Sequence, residues 1–449
     1  MPKYLMYAVQ LLFLCAAVRA ASWFEPVEKG SSTAGPDPLS LHTIPQSLAD
    51  SFGAKCLDGS PPSSYILPQD PSRWVIFVEG GGWCQTLASC AGRARGSGGS
   101  SHGLAPTMDV GGLLSPDPTI NPRFNNWTFV FMHYCDGSSH TSNATLPYMD
   151  GNSSVWFRGR PNLIAQFAYL STLGLDSASD VIYTGGSAGG MSVFLSLDFV
   201  RDLLPPSTRL VGAPDAGFFI DAPLWNNATA FAFRQEFMNA DLFWNSTGAG
   251  NLNSRCLAAF ADEKWRCFFP ENYGPYIQTP WHSMMAAYDL ASLSMIINLG
   301  CLPPKCNATE LEALHLWRYQ FLGALGPAVT SFPFNGAYVD SCLVHEQNVD
   351  YCSGQSVPNC RGWNLYNVTA SGYAAALTPQ EGFSVWYDAL SINYERVVGE
   401  RAAWAARIDK GIASGSGYPQ RRAKDAQQQV IIIDPSEWPG NPSCPFGTT

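Results

Sequence analysis

A serine hydroxyl attacks a carbonyl efficiently when three things meet: a turn that lifts it clear, a base that takes its proton, and donors that receive the developing oxyanion. Residues 185–190 read Gly-Gly-Ser-Ala-Gly-Gly, so Gly185, Ser187 and Gly189 satisfy the Gly-x-Ser-x-Gly pattern. Small flanking residues permit the sharp strand-to-helix turn of a nucleophile elbow, and a following helix N-terminus favours negative charge there. A phosphate-binding loop is the competing reading of so many glycines. No Gly-Lys-Ser/Thr follows and no GxGxxG is present, which sets that reading aside. A second glycine run, Glu79-Gly80-Gly81-Gly82-Trp83-Cys84, has the form of an oxyanion loop, in which backbone N–H groups approach the reacting carbonyl. The expected donors are the N–H groups of Gly82, Trp83 and, after the nucleophile, Ala188.

In the order Ser, acid, His that α/β-hydrolases follow, only His282, His315 and His345 come late enough to be the base. His315 lies in a helical pattern and His282 enters a strand at the wrong end. His345 stands in a loop region beside Cys342, which can anchor it. The acid is open among Asp215, Asp221, Asp241, Asp289 and Asp340. Asp289 and Asp215 each follow an apolar run and so sit at the carboxyl end of a strand, where α/β sites assemble. Asp289 leads and Asp215 is the runner-up.

The elements that must position these groups are short and apolar. Residues 74–78, 127–133, 180–184, 209–213 and 284–288 read as strands, and 430–433 as a further short one. Helices are expected over 162–173 and from 189 to 204. Residues 92–122, rich in Gly, Ser and Pro, read as a long surface loop. Strands alternating with helices predict an α/β-hydrolase-like, three-layer domain with a mostly parallel sheet and disulfide-stapled loops. The expected division is a signal peptide over 1–20, an irregular lead-in over 21–50, the catalytic domain over 51–400, and a C-terminal extension over 401–449 with a polar linker and a short strand.

The first 20 residues have a single early lysine, an apolar run and a Val-Arg-Ala end, the layout of a cleaved secretory signal. No later segment has the length and hydropathy of a transmembrane helix. Of 13 cysteines, Cys15 lies in the signal and twelve follow it, an even number that fits an exported, disulfide-bonded chain. Cys84–Cys90, Cys256–Cys267 and Cys301–Cys306 are spaced to close local loops. Neither a paired CxxC nor an HExxH motif points to a metal, and no cofactor is called for. Seven Asn-x-Ser/Thr sequons, at Asn126, Asn143, Asn152, Asn227, Asn245, Asn307 and Asn367, point to surface N-glycans. A net charge of −10 excludes nucleic acid as a partner, since phosphate binding needs a basic face.

Taken in order over residues 50–350, six motifs resemble the pectin acetylesterase/Notum family of secreted serine carboxylesterases. They are Glu79–Cys84, Tyr134-Cys135-Asp136-Gly137, Phe157-Arg158-Gly159, Gly186–Gly190, Asp215-Ala216-Gly217-Phe218-Phe219-Ile220-Asp221 and Ser341-Cys342-Leu343-Val344-His345. Trp265-Arg-Cys-Phe-Phe269 matches as well, ahead of the apolar strand that in this family ends in the catalytic aspartate. The resemblance therefore selects Asp289 over Asp215 and implies a Ser187–His345–Asp289 triad with an oxyanion hole of Gly82, Trp83 and Ala188. Plant pectin acetylesterases carry a cysteine just before the nucleophile and His-Cys-Gln at the base. Gly186 and His345-Glu346-Gln347 stand there in this chain, more like the Notum branch. The implied function is deacetylation of an O-acetylated cell-wall or matrix polysaccharide outside the cell. A Notum-like deacylase for a longer acyl chain is the alternative among enzymes, and a catalytically inactive secreted glycan-binding protein is the alternative of another class.

Overall fold

The computed structural model describes residues 37–349, 362–364, 366–369, 373, 375–414 and 429–444. The expected signal sequence, Cys15, Cys352, Cys360 and most of the polar linker lie outside these residues. Twelve strands run in chain order as β1 Leu39–Thr43, β2 Ser63–Leu67, β3 Asp70–Val78, β4 Thr107–Met108, β5 Trp127–Met132, β6 Tyr148–Asp150, β7 Ser153–Val155, β8 Asp180–Gly186, β9 Arg209–Asp215, β10 His282–Ala286, β11 Gly336–Asp340 and β12 Ile431–Ile433. Ten of them form one sheet in the order β12-β11-β10-β9-β8-β3-β5-β2-β1-β4, and β6 and β7 form a separate hairpin.

From β12 to β5 every neighbouring pair is parallel, and β2, β1 and β4 complete the sheet antiparallel. The parallel part is what the apolar runs dictate. Trp74 to Val78 and all six residues of β5 are buried, as strands covered by helices on both faces must be. The helices Gly159–Thr172, Ala188–Leu203, Ala308–Ser331 and Pro379–Ile392 flank this sheet. Two of them begin on capping boxes, Asn307 with Glu310 and Thr378 with Glu381, which satisfy orphan N–H groups at their first turns.

Four expectations are corrected. Within the stretch read as an irregular lead-in, residues 39–43 form β1 and 46–52 a helix; Leu39 and Leu41 alternate with polar residues over a strand too short to stand out. The stretch 92–122 is not simply a surface loop. It supplies β4 and buries Leu113, Leu114 and Asn121 completely, with the Asn121 amide donating to the carbonyls of Leu113 and Ser115. Strands β2 and β11 are additions, each hidden by serine, glycine or aspartate at its ends. Residues 401–413 continue the helix Tyr394–Ala413, and β12 pairs with β11 in the main sheet rather than standing apart.

The chain leaves β3 for β5 on one side and returns to β8 on the other. The loops after β3 and β8 therefore part at the carboxyl edge of adjacent strands, where α/β sheets open a crevice.

Candidate active site

Ser187 sits between β8 and the helix Ala188–Leu203 with φ +53° and ψ −123°, a conformation costing about 1–3 kcal/mol for a non-glycine residue. The surrounding glycines explain how the turn is held. A Cβ on Gly189 would lie 2.1 Å from the Val78 carbonyl oxygen and 2.6 Å from that of Glu79; one on Gly190 would lie 2.3 Å from the Asp215 oxygen. The elbow is thus wedged against the ends of β3 and β9, and Ser187 N–H donates to the Asp215 carbonyl at 3.0 Å. Because the obstructing atoms are backbone, Gly189→Ala should destabilise the fold by about 3 kcal/mol or more. A urea melt with an unchanged midpoint would contradict this packing.

The loop after β3 turns through Gly81 at φ +118° and Gly82 at φ +66°. Glu79 clamps its start to β5: its Oε2 accepts from His133 Nδ1 at 2.6 Å and from the Tyr134 N–H at 2.9 Å. The Cys84–Cys90 disulfide closes its far end, and Cys84 N–H donates to the Gly137 carbonyl. The Trp83 indole donates to Ser139 Oγ at 2.7 Å, and Ser139 Oγ donates to the Ala188 carbonyl at 2.7 Å. That relay ties the loop to the first residue of the elbow helix. Among the described residues, the backbone N–H groups of Gly82, Trp83 and Ala188 donate to no protein oxygen. For Ala188 this follows from its place at the start of a helix.

His345 Nδ1–H donates to Asp289 Oδ1 at 2.5 Å, and Asp289 Oδ2 accepts from the Ser292 N–H at 2.7 Å. The carboxylate partner places the proton on Nδ1 and leaves Nε2 as the acceptor. Burial pulls the imidazole's pKa down. The Asp289 charge and hydrogen bond, helped by Glu346 and Asp215, outweigh it and leave the group raised to about 9. Ser187 Oγ makes no hydrogen bond among the described residues, a relaxed state common before substrate tightens such a site.

The other predicted acid has a different place. The Asp215 carboxylate accepts from the N–H groups of Gln347 and Asn348, which pins the His345 loop to the end of β9. The Gln347 amide reaches Asp340 at the end of β11, and the Asn348 amide donates to Thr184 Oγ1 on β8 at 2.8 Å. Cys342 is bonded to Cys444, and neighbouring Ser341 donates to Asp434 Oδ2 at 2.6 Å, so residues 434–444 brace the loop from behind. Sequence reasoning weighed Asp340 only as a candidate acid and missed its tie to Gln347, and it missed Asp434 and the Glu79–His133 pair. His315 donates to or accepts from Tyr288 OH at 3.1 Å on a helix, and His282 opens β10 fully buried, away from the carboxyl edge.

With this geometry in view, comparison decides the family. The family described as Pectinacetylesterase matches residues 37–370. The chain belongs to the pectinacetylesterase family. Pectin acetylesterase 5 of Arabidopsis thaliana is 32% identical over 322 residues, covering 68% of this chain and 73% of that protein. The palmitoleoyl-protein carboxylesterase NOTUM of Drosophila melanogaster is 31% identical over 256 residues, 55% of this chain and 37% of that one. A crystal structure of the Wnt deacylase Notum from Drosophila aligns with a TM-score of 0.68 at 21% identity, covering 91% of this chain and all of that one, a likeness of fold. As a pectinacetylesterase-family chain the protein is a serine carboxylesterase.

The two positions at which the sequence departs from plant members of the family adjoin in space. A Cβ on Gly186 would lie 2.7 Å from Glu346 Oε1.

Proposed function

We propose that the protein is an exported deacetylase of O-acetylated polysaccharide, with Ser187 as nucleophile, His345 as its base and Asp289 orienting the imidazole. Ser187 attacks the ester carbonyl as His345 Nε2 takes its proton, and the N–H groups of Gly82, Trp83 and Ala188 receive the oxyanion. The imidazolium returns the proton to the leaving alcohol, and water admitted by the same base hydrolyses the acetyl-enzyme. The observation that carries this reading is the Asp289-held imidazole on a loop fastened to the same strand ends as the serine elbow.

Acetyl is favoured over a long acyl chain by what fills the ground beside the oxyanion loop. The Trp83 ring packs edge-on against Phe219, Phe233 and Phe237 at centroid distances of 5.0, 5.6 and 5.2 Å, and Phe219 reaches His345 at 6.5 Å. All four aromatic residues are buried. A cleft of about 930 Å³ does exist, lined among others by Arg160, Asp198 and Asp202. It adjoins the elbow helix from Phe194 to Asp202, about 10 Å or more along it from Ser187 at about 1.5 Å per residue, and none of Ser187, His345, Asp289 or the 80–83 loop lines it.

Export is supported by five disulfides among the described residues. Six of the seven sequon asparagines are exposed; Asn143 is half-buried, with its side-chain oxygen accepting from Arg158. No described helix is long and apolar enough to cross a membrane.

The test is a p-nitrophenyl ester series from C2 to C16, run on protein recovered from the medium of a secreting host. The acetate should be turned over fastest, with kcat/KM at least about tenfold lower by C8, since packed rings must move to admit a longer chain. A maximum at long chains would favour the deacylase alternative. No labelling of Ser187 by a fluorophosphonate would favour the binding-only one, and retention of the protein in the cells would contradict export.

A further inference from the structure

Glu346 follows the candidate base and plays no part in the steps above, yet its side chain reaches the centre of the site. A non-glycine residue at φ +65° is uncommon, and here it turns the carboxylate back over the elbow. A Cβ on Gly80 would lie 2.8 Å from Glu346 Oε1 and 3.0 Å from Ser187 Cβ, so carboxylate and nucleophile flank the same glycine. A Cβ on Gly186 would meet Glu346 Oε1 at 2.7 Å, Cδ at 2.8 Å and Oε2 at 3.2 Å. The slot between oxyanion loop and elbow is open to this side chain because both positions are glycine.

What occupies the slot is a carboxylate without a protein donor. No N–H or O–H among the described residues donates to either of its oxygens. The groups around it are mostly acidic: Glu79 after β3, Asp289 after β10 and Asp215 at the end of β9, against His345 on its own loop. A negative charge here opposes the oxyanion, and it opposes more strongly any negative charge that the substrate brings with it. A carboxylate lacking a donor also suits a carrier that supplies one, as the free hydroxyl beside an esterified hydroxyl of a sugar does.

We propose that Glu346 is a charge-selecting residue of the esterase site, admitting neutral polyol esters and discriminating against acyl carriers that bear a carboxylate close to the ester. The inference rests on the reading of Ser187 as the nucleophile. It narrows the polysaccharide to one whose acetylated units are neutral rather than uronate-rich.

The selection has a pH signature. Burial raises the Glu346 carboxyl to about 7, with His345 opposing that rise and Asp289 and Glu79 adding to it. Its charge is therefore largely absent at pH 5.5 and largely present at pH 8. His345 also titrates with pH, but two substrates cleaved by one enzyme share its protonation, and their ratio cancels it.

The experiment compares kcat/KM for p-nitrophenyl acetate with that for 4-acetoxy-3-nitrobenzoate, which carries a carboxylate on a related leaving group. It is run at pH 5.5 and pH 8 on the wild type, Glu346→Gln and Glu346→Asn. Gln keeps the shape; Asn tolerates the left-handed backbone and guards against misfolding of the first variant. In the wild type, preference for the neutral ester should rise about tenfold from pH 5.5 to pH 8, the scale of one nearby partly screened charge. In both variants the rise should be clearly smaller, any remainder coming from Asp215, whose carboxyl burial raises to about 8. An equal rise in the variants, or a flat ratio in the wild type, overturns the proposal. Hydrolysis of p-nitrophenyl acetate that depends on Ser187 but is blind to charge removes only this inference; its absence takes down the assignment of the nucleophile as well.

Discussion

Ser187→Ala should lower kcat/KM on p-nitrophenyl acetate by at least about 10⁴-fold while leaving the fold intact. The size of the loss follows from chemistry, because Ser187 carries the one hydroxyl of the elbow residues 185–190 and is the proposed nucleophile. Retention of the fold follows from structure. Ser187 Oγ makes no hydrogen bond among the described residues, and the strained backbone is imposed by Gly185, Gly189 and Gly190 rather than by the serine side chain. Alanine keeps the Cβ and loses nothing that packs, so the unfolding free energy should change by no more than about 0.5 kcal/mol. A variant that melts normally and keeps more than a hundredth of the activity would remove Ser187 from the mechanism.

Asp289→Asn should cost about 10³- to 10⁴-fold in kcat/KM, the scale seen when a triad aspartate becomes an amide. An asparagine can turn its NH₂ toward His345 Nδ1 and favour the tautomer that carries the proton on Nε2, the atom that must accept from Ser187. The variant also has a pH signature. Asp289 helps raise His345 to about 9, and the base works only when neutral, so wild-type kcat/KM should climb as pH rises toward that value. Without the aspartate charge the imidazole loses its proton at lower pH, so the rising limb of the variant moves to lower pH beneath a much lower plateau. An unshifted limb, or a loss below about tenfold, would show that Asp289 does not orient the base. Asp215 would then be the acid to examine, although its carboxylate is already taken up by two backbone N–H groups.

How far the sequence could be read depended on how local each signal is. β3, β5, β8, β9 and β10 were legible because central parallel strands must be almost wholly apolar, and their runs stop at the glycines or aspartates that begin the site. β1, β2 and β4 were not, because these short strands of the antiparallel margin mix serine, histidine and threonine with their apolar residues. β11 has three apolar side chains between a glycine and an aspartate, too few to count as a run. Ser187 and the 80–82 glycines announce themselves because backbone geometry demands glycine in sequence. The braces of the His345 loop do not: Asp215 lies 132 residues from Gln347 and Ser341 lies 93 from Asp434, and no spacing rule connects them. Glu346 showed in the sequence only as a departure from plant relatives. Its contact with the Gly80–Gly186 slot needed the folded chain.

The bracing of that loop also has a bearing on time. The serine, its strained turn and its three proposed oxyanion donors all come from residues 80–189, whereas the imidazole hangs from a loop fastened in part by Asp434 and by the Cys342–Cys444 disulfide. At about 5–20 residues per second of synthesis, Cys444 follows the serine turn by on the order of 10–50 s. Through that interval the loop of the proposed base has its ties to Asp215 and Thr184 but not those to Asp434 and Cys444. Under the proposed reading of the site, a hydrolase made this way would gain its fully braced base only once residues 434–444 are in place and Cys342 and Cys444 are joined.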